Sequence, residues 1–192
     1  MKEFIHHKVQ LINNLIDSYN DVQKLYVSRA YEFDVRFTQL LGNCKVYFET
    51  YGTNIQVAEV LNITGMFETA GKGINPFELK KVSSGRRELK MMVAYHGLEK
   101  LLRLLNLFYE KESGKLEEAE EILSNLVLSL FQSGVLDNKK LSKLTSVGKI
   151  EAFWKELLKL NGSVTLIEKK LRLKVIPEDI YLILEKVVLK IR

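Results

Sequence analysis

Counting along the chain from Ile5 in steps of four and three lands on Ile5, Val9, Ile12, Ile16, Tyr19, Gln23, Tyr26, Ala30, Phe33, Phe37, Leu40, Cys44 and Tyr47, and only Gln23 of these is polar. An apolar seam that keeps step with a seven-residue repeat drives helices to pack with left-handed, knobs-into-holes geometry. The pattern predicts a long N-terminal helix. Unbroken, it would extend about 63 Å at about 1.5 Å per residue, whereas a compact chain of this size has a radius of gyration of roughly 16 Å. The helix therefore either breaks, near Ser18 to Asp21 or at Gly42-Asn43, or projects and pairs with a second copy. Leu11, Leu15, Val22, Leu25, Val27, Val35, Leu41, Val46 and Phe48 widen the apolar face beyond a two-stranded seam, which favours a multi-helix bundle.

Beyond "YGTN" a short helical pattern covers Ile55 to Ile63, followed by "TGMFETAGKGINP". Gly65, Gly71 and Gly73 supply turn conformations and Asn75-Pro76 starts a new element, so this stretch reads as a hinge. Helical periodicity resumes from Ser84, with Leu89, Val93, His96, Leu101, Leu105 and Phe108. The polar "KESGK" then reads as a turn into "LEEAEEILSNLVLSLFQSGVL", giving an antiparallel helical hairpin. Shorter helical segments follow, and the last opens on Pro177-Glu178-Asp179, a helix start with proline at the first position and acids in the first turn. Leu171, Leu173 and Val175 also alternate as a short strand would, but the helical reading is preferred. The expected architecture is all-α: a long N-terminal helix and a short one at 1–64, a Gly-rich hinge at 65–83 and a helical bundle at 84–192.

Composition supports that class. Among 192 residues only two are proline, and 46% are hydrophobic, enough for one good core or two small ones. One cysteine forms no intramolecular disulfide, so nothing points to an oxidising compartment. The first residues, "MKEFIHHKVQ", lack the pattern of a secretory leader, and no window reaches the roughly 18 to 20 apolar residues of a membrane span. A cytoplasmic protein is expected.

Candidate chemistry was sought motif by motif. Ala58, Leu61, Ile63 and Thr64 have the cadence of the first half of a helix-turn-helix, yet "GMFETAGKG" offers no Arg, Asn or Gln to read bases where a recognition helix should follow. "AGKGINP" lacks the glycine spacing, the preceding strand and the Ser or Thr of a phosphate loop. Glu3 and His6 have the Glu-x-x-His spacing of di-iron bundles, but beyond the adjacent His7 the remaining histidine, His96, has no acid three residues before it. His96 is read as a core or interface side chain and Cys44 as inert packing. No cofactor, metal or catalytic residue is expected.

Basic residues remain. Lys80, Lys81, Arg86 and Arg87 flank a Ser-Ser-Gly, and Lys169, Lys170, Arg172 and Lys174 form a second cluster. From Asn138 onwards there are 13 Lys or Arg against 6 Asp or Glu, while "EKESGKLEEAEE" is acidic, within a net charge of +5. Such asymmetry suits phosphate contacts, and equally suits charge complementarity within the chain or between copies. The expected function is a non-enzymatic interaction or scaffold protein. It would self-associate through Ile12, Ile16, Tyr19, Tyr26, Phe33, Phe37 and Leu40, or bind a protein partner. The alternative is nucleic-acid binding, with the two basic clusters against phosphates.

Overall fold

The structure, a computed structural model, describes residues 4–82 and 85–191. Among them the chain is all-α, as expected: α1 (Ile5–Val27), α2 (Phe33–Tyr51), α3 (Asn54–Gly71), α4 (Arg86–Gln132), α5 (Asn138–Leu141), α6 (Val147–Leu160), α7 (Gly162–Leu171) and α8 (Pro177–Ile191), with one small hairpin of β1 (Ile74–Asn75) and β2 (Lys80–Lys81). Two compact units are present. One comprises residues 10–109, and the other residues 1–9 with 110–192. We call them the 10–109 unit and the C-terminal unit.

The N-terminal seam breaks, but at neither expected place. Helix continues through Ser18 to Asp21 and through Gly42-Asn43, and the interruption falls between Val27 and Phe33. Arg29 there adopts φ 51°, the left-handed region, with its N–H donating to the Tyr26 carbonyl and the N–H of Ala30 donating to Leu25. These two bonds form a Schellman cap, a motif that usually places glycine where Arg29 stands.

The 10–109 unit draws α1, α2, α3 and the first half of α4 into one apolar core. Phe33 and Phe37 stack at 5.5 Å, and Phe67 from α3 meets Phe37 edge-on at 4.9 Å. Gly97 of α4 lies under α3 and α2: a Cβ there would stand 2.8 Å from Ile63 Cγ2 and 3.2 Å from Phe37 Cζ. The seam proposed for self-association is consumed in this core. Ile12, Tyr19, Phe33, Phe37 and Leu40 are buried and Ile16 and Tyr26 half-buried, because the broad aromatic face is covered by apolar residues of α3 and α4.

The expected hinge also resolves differently. Gly65 is interior to α3, on an exposed face with nothing within 4 Å of a Cβ, while Ile63, Phe67 and Ala70 bury the opposite face. One exposed glycine costs a helix about 1 kcal/mol, less than that burial supplies. The helix ends instead at Gly71, and Gly73, at φ 76°, turns the chain into the hairpin. Phe77 at the hairpin tip contacts the His96 ring at 5.5 Å, and the Val82 N–H donates to the Gly73 carbonyl. The segment is thus folded inside the 10–109 unit rather than dividing domains, so the expected division at 65–83 differs from the observed one. Ser83 and Ser84, where the hinge was to end and the next helix begin, lie outside the described residues.

No turn forms at "KESGK". Helix α4 runs unbroken through it, so the expected helical hairpin is a single helix of 47 residues. The flanking Glu110, Lys111, Lys115, Leu116 and Glu117 are good helix formers that outweigh Ser113 and Gly114, and Glu112, buried within the turn, is held by Lys115 at 2.8 Å to both carboxylate oxygens.

In the C-terminal unit, residues 5–9 of α1, the second half of α4 and helices α5 to α8 share a core around Leu123, Ile150, Trp154, Leu171 and Ile180. Asp137 accepts from the Lys140 N–H to start α5, and Asn161 accepts from Ser163 to start α7. Residues Arg172 to Ile176 form a turn rather than the short strand weighed from their alternation.

A Cβ at Gly114 meets nothing within 4 Å. Gly114→Ala is therefore expected to stabilise the protein by about 1 kcal/mol through helix propensity, read as a higher urea midpoint. A lower midpoint would mean that residues 113–114 turn.

Candidate functional site

Four surfaces or clusters could carry chemistry, and each is built from the sequence differently. The first basic cluster lies in the 10–109 unit. Lys80 and Lys81 are exposed on β2, and Arg86 and Arg87 open α4. Arg86 lies over the hairpin's start, since a Cβ on Gly73 would stand 2.9 Å from its Nε. Arg87 Nη2 donates to the Arg29 carbonyl at 2.9 Å. An open cleft of about 490 Å³ beside them is lined by Ala30, Tyr31, Phe33, Asp34, Val35, Arg86, Arg87, Lys90 and Met91, with Lys90 ion-paired to Asp34. Among the described residues, none of Lys80, Lys81, Arg86 and Arg87 pairs with a carboxylate.

The second cluster belongs to the C-terminal unit and is half committed. Arg172 donates from Nε and Nη2 to Glu168 Oε1 at 3.0 and 2.9 Å, and Lys174 is ion-paired to Glu118 of α4. Among the described residues Lys169 and Lys170, exposed in the last turn of α7, are left without a carboxylate. The acidic run of α4 takes up other cations as well: Glu120 accepts from Lys186 at 2.6 Å and Lys190 at 2.5 Å on α8. The Lys186 hydrogen bond, then that of Lys190, holds the Glu120 carboxyl below its ordinary range despite partial burial. Much of the expected charge asymmetry is therefore answered within this unit.

A buried acid–histidine pair lies at the start of α8. Asp179 is 0% exposed, and its carboxylate accepts from the Ile5 N–H at 3.2 Å, the His6 N–H at 3.1 Å, His6 Nδ1 at 2.7 Å and the Ile176 N–H at 3.4 Å. A carboxylate only accepts, so Nδ1 carries the proton in this contact. The arrangement caps two helix starts, α1 from a distant part of the sequence and α8 from within, where the macrodipoles favour negative charge. Burial pushes the Asp179 carboxyl up, but the bonds from the His6 ring, the His6 N–H and the Ile5 N–H outweigh it and leave the group below its ordinary 3.8. Sequence reading singled out His6 for a Glu-x-x-His pair with Glu3, which lies outside the described residues. It read Asp179 only as a first-turn acid, because no local spacing connects positions 173 residues apart.

Among the described residues no group of three or more His, Cys, Asp and Glu could hold a metal ion. His96 is exposed, flanked by Phe77 and Tyr95, so of the two roles expected of it, core or interface, it does not take the core one. Cys44 is buried, and burial pushes its thiol up to about 12, far from the thiolate that nucleophilic chemistry requires. The helix-turn-helix cadence vanishes because α3 passes straight through its supposed turn.

The fourth feature escaped sequence reading. A groove of about 510 Å³ in the C-terminal unit is lined by Val135, Lys140, Lys143, Leu144, Lys149, Ala152, Phe153, Glu156, Leu157 and Leu160. Leu144 and Leu157 form buried floor, while Leu160 is 75% and Val135 40% exposed on the walls. Lys140 Nζ donates to the Val135 carbonyl at 2.6 Å and Lys149 Nζ to Thr145 Oγ1 at 3.0 Å. None of the three rim lysines meets a carboxylate among the described residues.

No family model matches this chain, and neither a curated protein nor a solved structure matches it. No helix among the described residues is long and apolar enough to cross a membrane.

Because Asp179 is held below its ordinary 3.8, the unfolded state binds the extra proton as pH falls through that window. Its contribution to stability is present above the ordinary value and is lost as pH falls through the lowered one. Asp179→Ala leaves helix N–H groups unanswered and is expected to cost on the order of 3 kcal/mol. Asp179→Asn should flatten the decline in stability below about pH 4. Urea melts between neutral and acid pH check both, and equal acid slopes in wild type and Asp179→Asn would contradict the assignment.

Proposed function

We propose that this chain is a non-enzymatic helical interaction protein of the cytoplasm that binds a protein partner, and that the partner seats in the groove of the C-terminal unit. One observation carries the reading. Leu160 and Val135 hold aliphatic surface in water beside an apolar floor, in a concave site lined by three lysines that form no ion pair among the described residues. Covering apolar surface gains about 25 cal/mol per Å², and apolar concavity with a polar rim is the anatomy of binding sites. Self-association through the N-terminal seam has no such support, because that seam lies in the core of the 10–109 unit.

A photo-crosslinking residue at position 160 is expected to join a discrete partner, whereas the same residue at 173, also an exposed leucine outside the groove, is expected not to. The partner, purified after identification by mass spectrometry, should then lose about tenfold in affinity for Leu160→Glu, the scale of a hot-spot loss. Equal crosslinking from both positions, or unchanged affinity, would overturn the groove as the site.

A second reading keeps support from Lys80, Lys81, Arg86 and Arg87, which are exposed and without carboxylate partners among the described residues. They suit phosphates without base reading, since no polar recognition helix accompanies them. If nucleic acid binds here, Arg86→Glu with Arg87→Glu should weaken unrelated sequences alike. The reversal should also reduce the slope of log affinity against log salt by about two. Unchanged slopes in a titration at several salt concentrations would remove this reading.

A further inference from the structure

We infer that the occupant of the groove is a single amphipathic helix of another protein whose polar face is acidic, an inference that rests on the groove being the partner site. The geometry is that of one helix face. Lys149, Phe153, Glu156 and Leu160 recur along α6 at helical spacing, and Val135 and Leu144 from outside α6 also line the groove. A surface of that kind takes a helix that lays apolar anchors at every third or fourth residue into it.

Charge selects which helix. Three lysines line the groove against one acid, Glu156. Lys140 and Lys149 are steadied by a carbonyl and a hydroxyl rather than by a carboxylate, and Lys143 by neither. Cations held at the rim of an apolar site reject a basic helix and steer an acidic one.

Other occupants match less of this. A small anionic amphiphile requires a cavity that encloses 70–90% of its surface, and this groove is open along its length. Nucleic acid would want several aromatic platforms for successive bases, and the groove lining offers one aromatic side chain, the half-buried Phe153. A second copy could offer its acidic stretch of α4. There, however, Glu118 is paired to Lys174 and Glu120 to Lys186 and Lys190, and Ala119 and Leu123 are fully buried.

The test uses the full chain and three fluorescein-labelled helical peptides of about 18 residues, long enough for several turns. One carries leucines at every third or fourth position with glutamates elsewhere, one the same leucines with lysines, and one the glutamates with the leucines replaced by alanine. Anisotropy should show the acidic leucine peptide binding at least about tenfold more tightly than either other. Lys143→Glu with Lys149→Glu should abolish that preference. The Lys143 side chain makes no hydrogen bond among the described residues, so its reversal alone serves if the double variant fails to fold, and the emission of the buried Trp154 reports folding in each case.

If acidic and basic leucine peptides bind alike and Leu160→Glu weakens both, the acidic partner is wrong while the groove stands. If no peptide binds and the crosslinker at 160 finds no partner, both readings fall. Binding of phosphatidylglycerol vesicles with the same dependence on Lys143 and Lys149, in competition with the acidic peptide, would overturn the helix in favour of an anionic lipid surface.

Discussion

A non-glycine residue in the left-handed region sets the organisation of the 10–109 unit. Residues 5 to 47 carry one continuous apolar repeat, and nothing in that repeat instructs the chain to stop. Arg29 stops it, at φ 51°, closing the cap with the N–H groups of Arg29 and Ala30. An L-residue held there costs roughly 1–2 kcal/mol, so the conformation persists only where its surroundings fix it. Arg87 supplies one such restraint by donating to the Arg29 carbonyl from α4, 58 residues away. Because the repeat is interrupted there, Phe33 and Phe37 enter the same core as Tyr19 and Val22, where Phe67 meets them edge-on. Aromatic edges and faces arranged in this way add to burial a modest geometric preference.

The seam therefore told which side chains would be buried and not what would bury them. Ile12, Tyr19, Phe33, Phe37 and Leu40 are buried as their spacing requires, since periodicity is a property of one face and needs no knowledge of the neighbour. The breaks were illegible for a physical reason. Composition marks turns by glycine and proline, but here an arginine turns the chain, while Gly42, Gly65 and Gly114 sit inside helices with no neighbour to be offended by a side chain. Each of those helices has enough burial on its opposite face to absorb one poor residue. Glycine becomes informative only where φ is positive, as at Gly73, or where packing is too close for a Cβ, as at Gly97. Neither condition can be read from one sequence.

Charge was legible as a sum and misleading as a surface. The clusters at 80–87 and 169–174 look alike in sequence, yet the first has no carboxylate partners among the described residues and the second has two of its four cations engaged. Helical spacing explains Arg172 with Glu168, four residues apart on one face. Lys174 with Glu118, and Lys186 and Lys190 with Glu120, are pairings between distant segments that only the fold creates. The groove escaped for the same reason. Its walls come from residues near 135, 144 and 160, and none of these is unusual within its own helix or turn.

Buried and exposed polar groups in the C-terminal unit have opposite fates. Asp179 is wholly buried and tolerated because backbone N–H groups of two helix starts and the His6 ring answer it. An acid–histidine pair at 2.7 Å resembles part of a catalytic relay, but a relay needs a nucleophile on the other ring nitrogen, and here His6 makes no side-chain hydrogen bond beyond Asp179 among the described residues. Its bonding capacity on that side goes into holding residue 6 to α8. Lys140, Lys143 and Lys149 stand beside exposed aliphatic surface and form no ion pair among the described residues. Full satisfaction of the buried charge, set against three cations that neighbour exposed aliphatic surface without an ion pair among the described residues, is why the proposed partner site is the groove and not the buried pair.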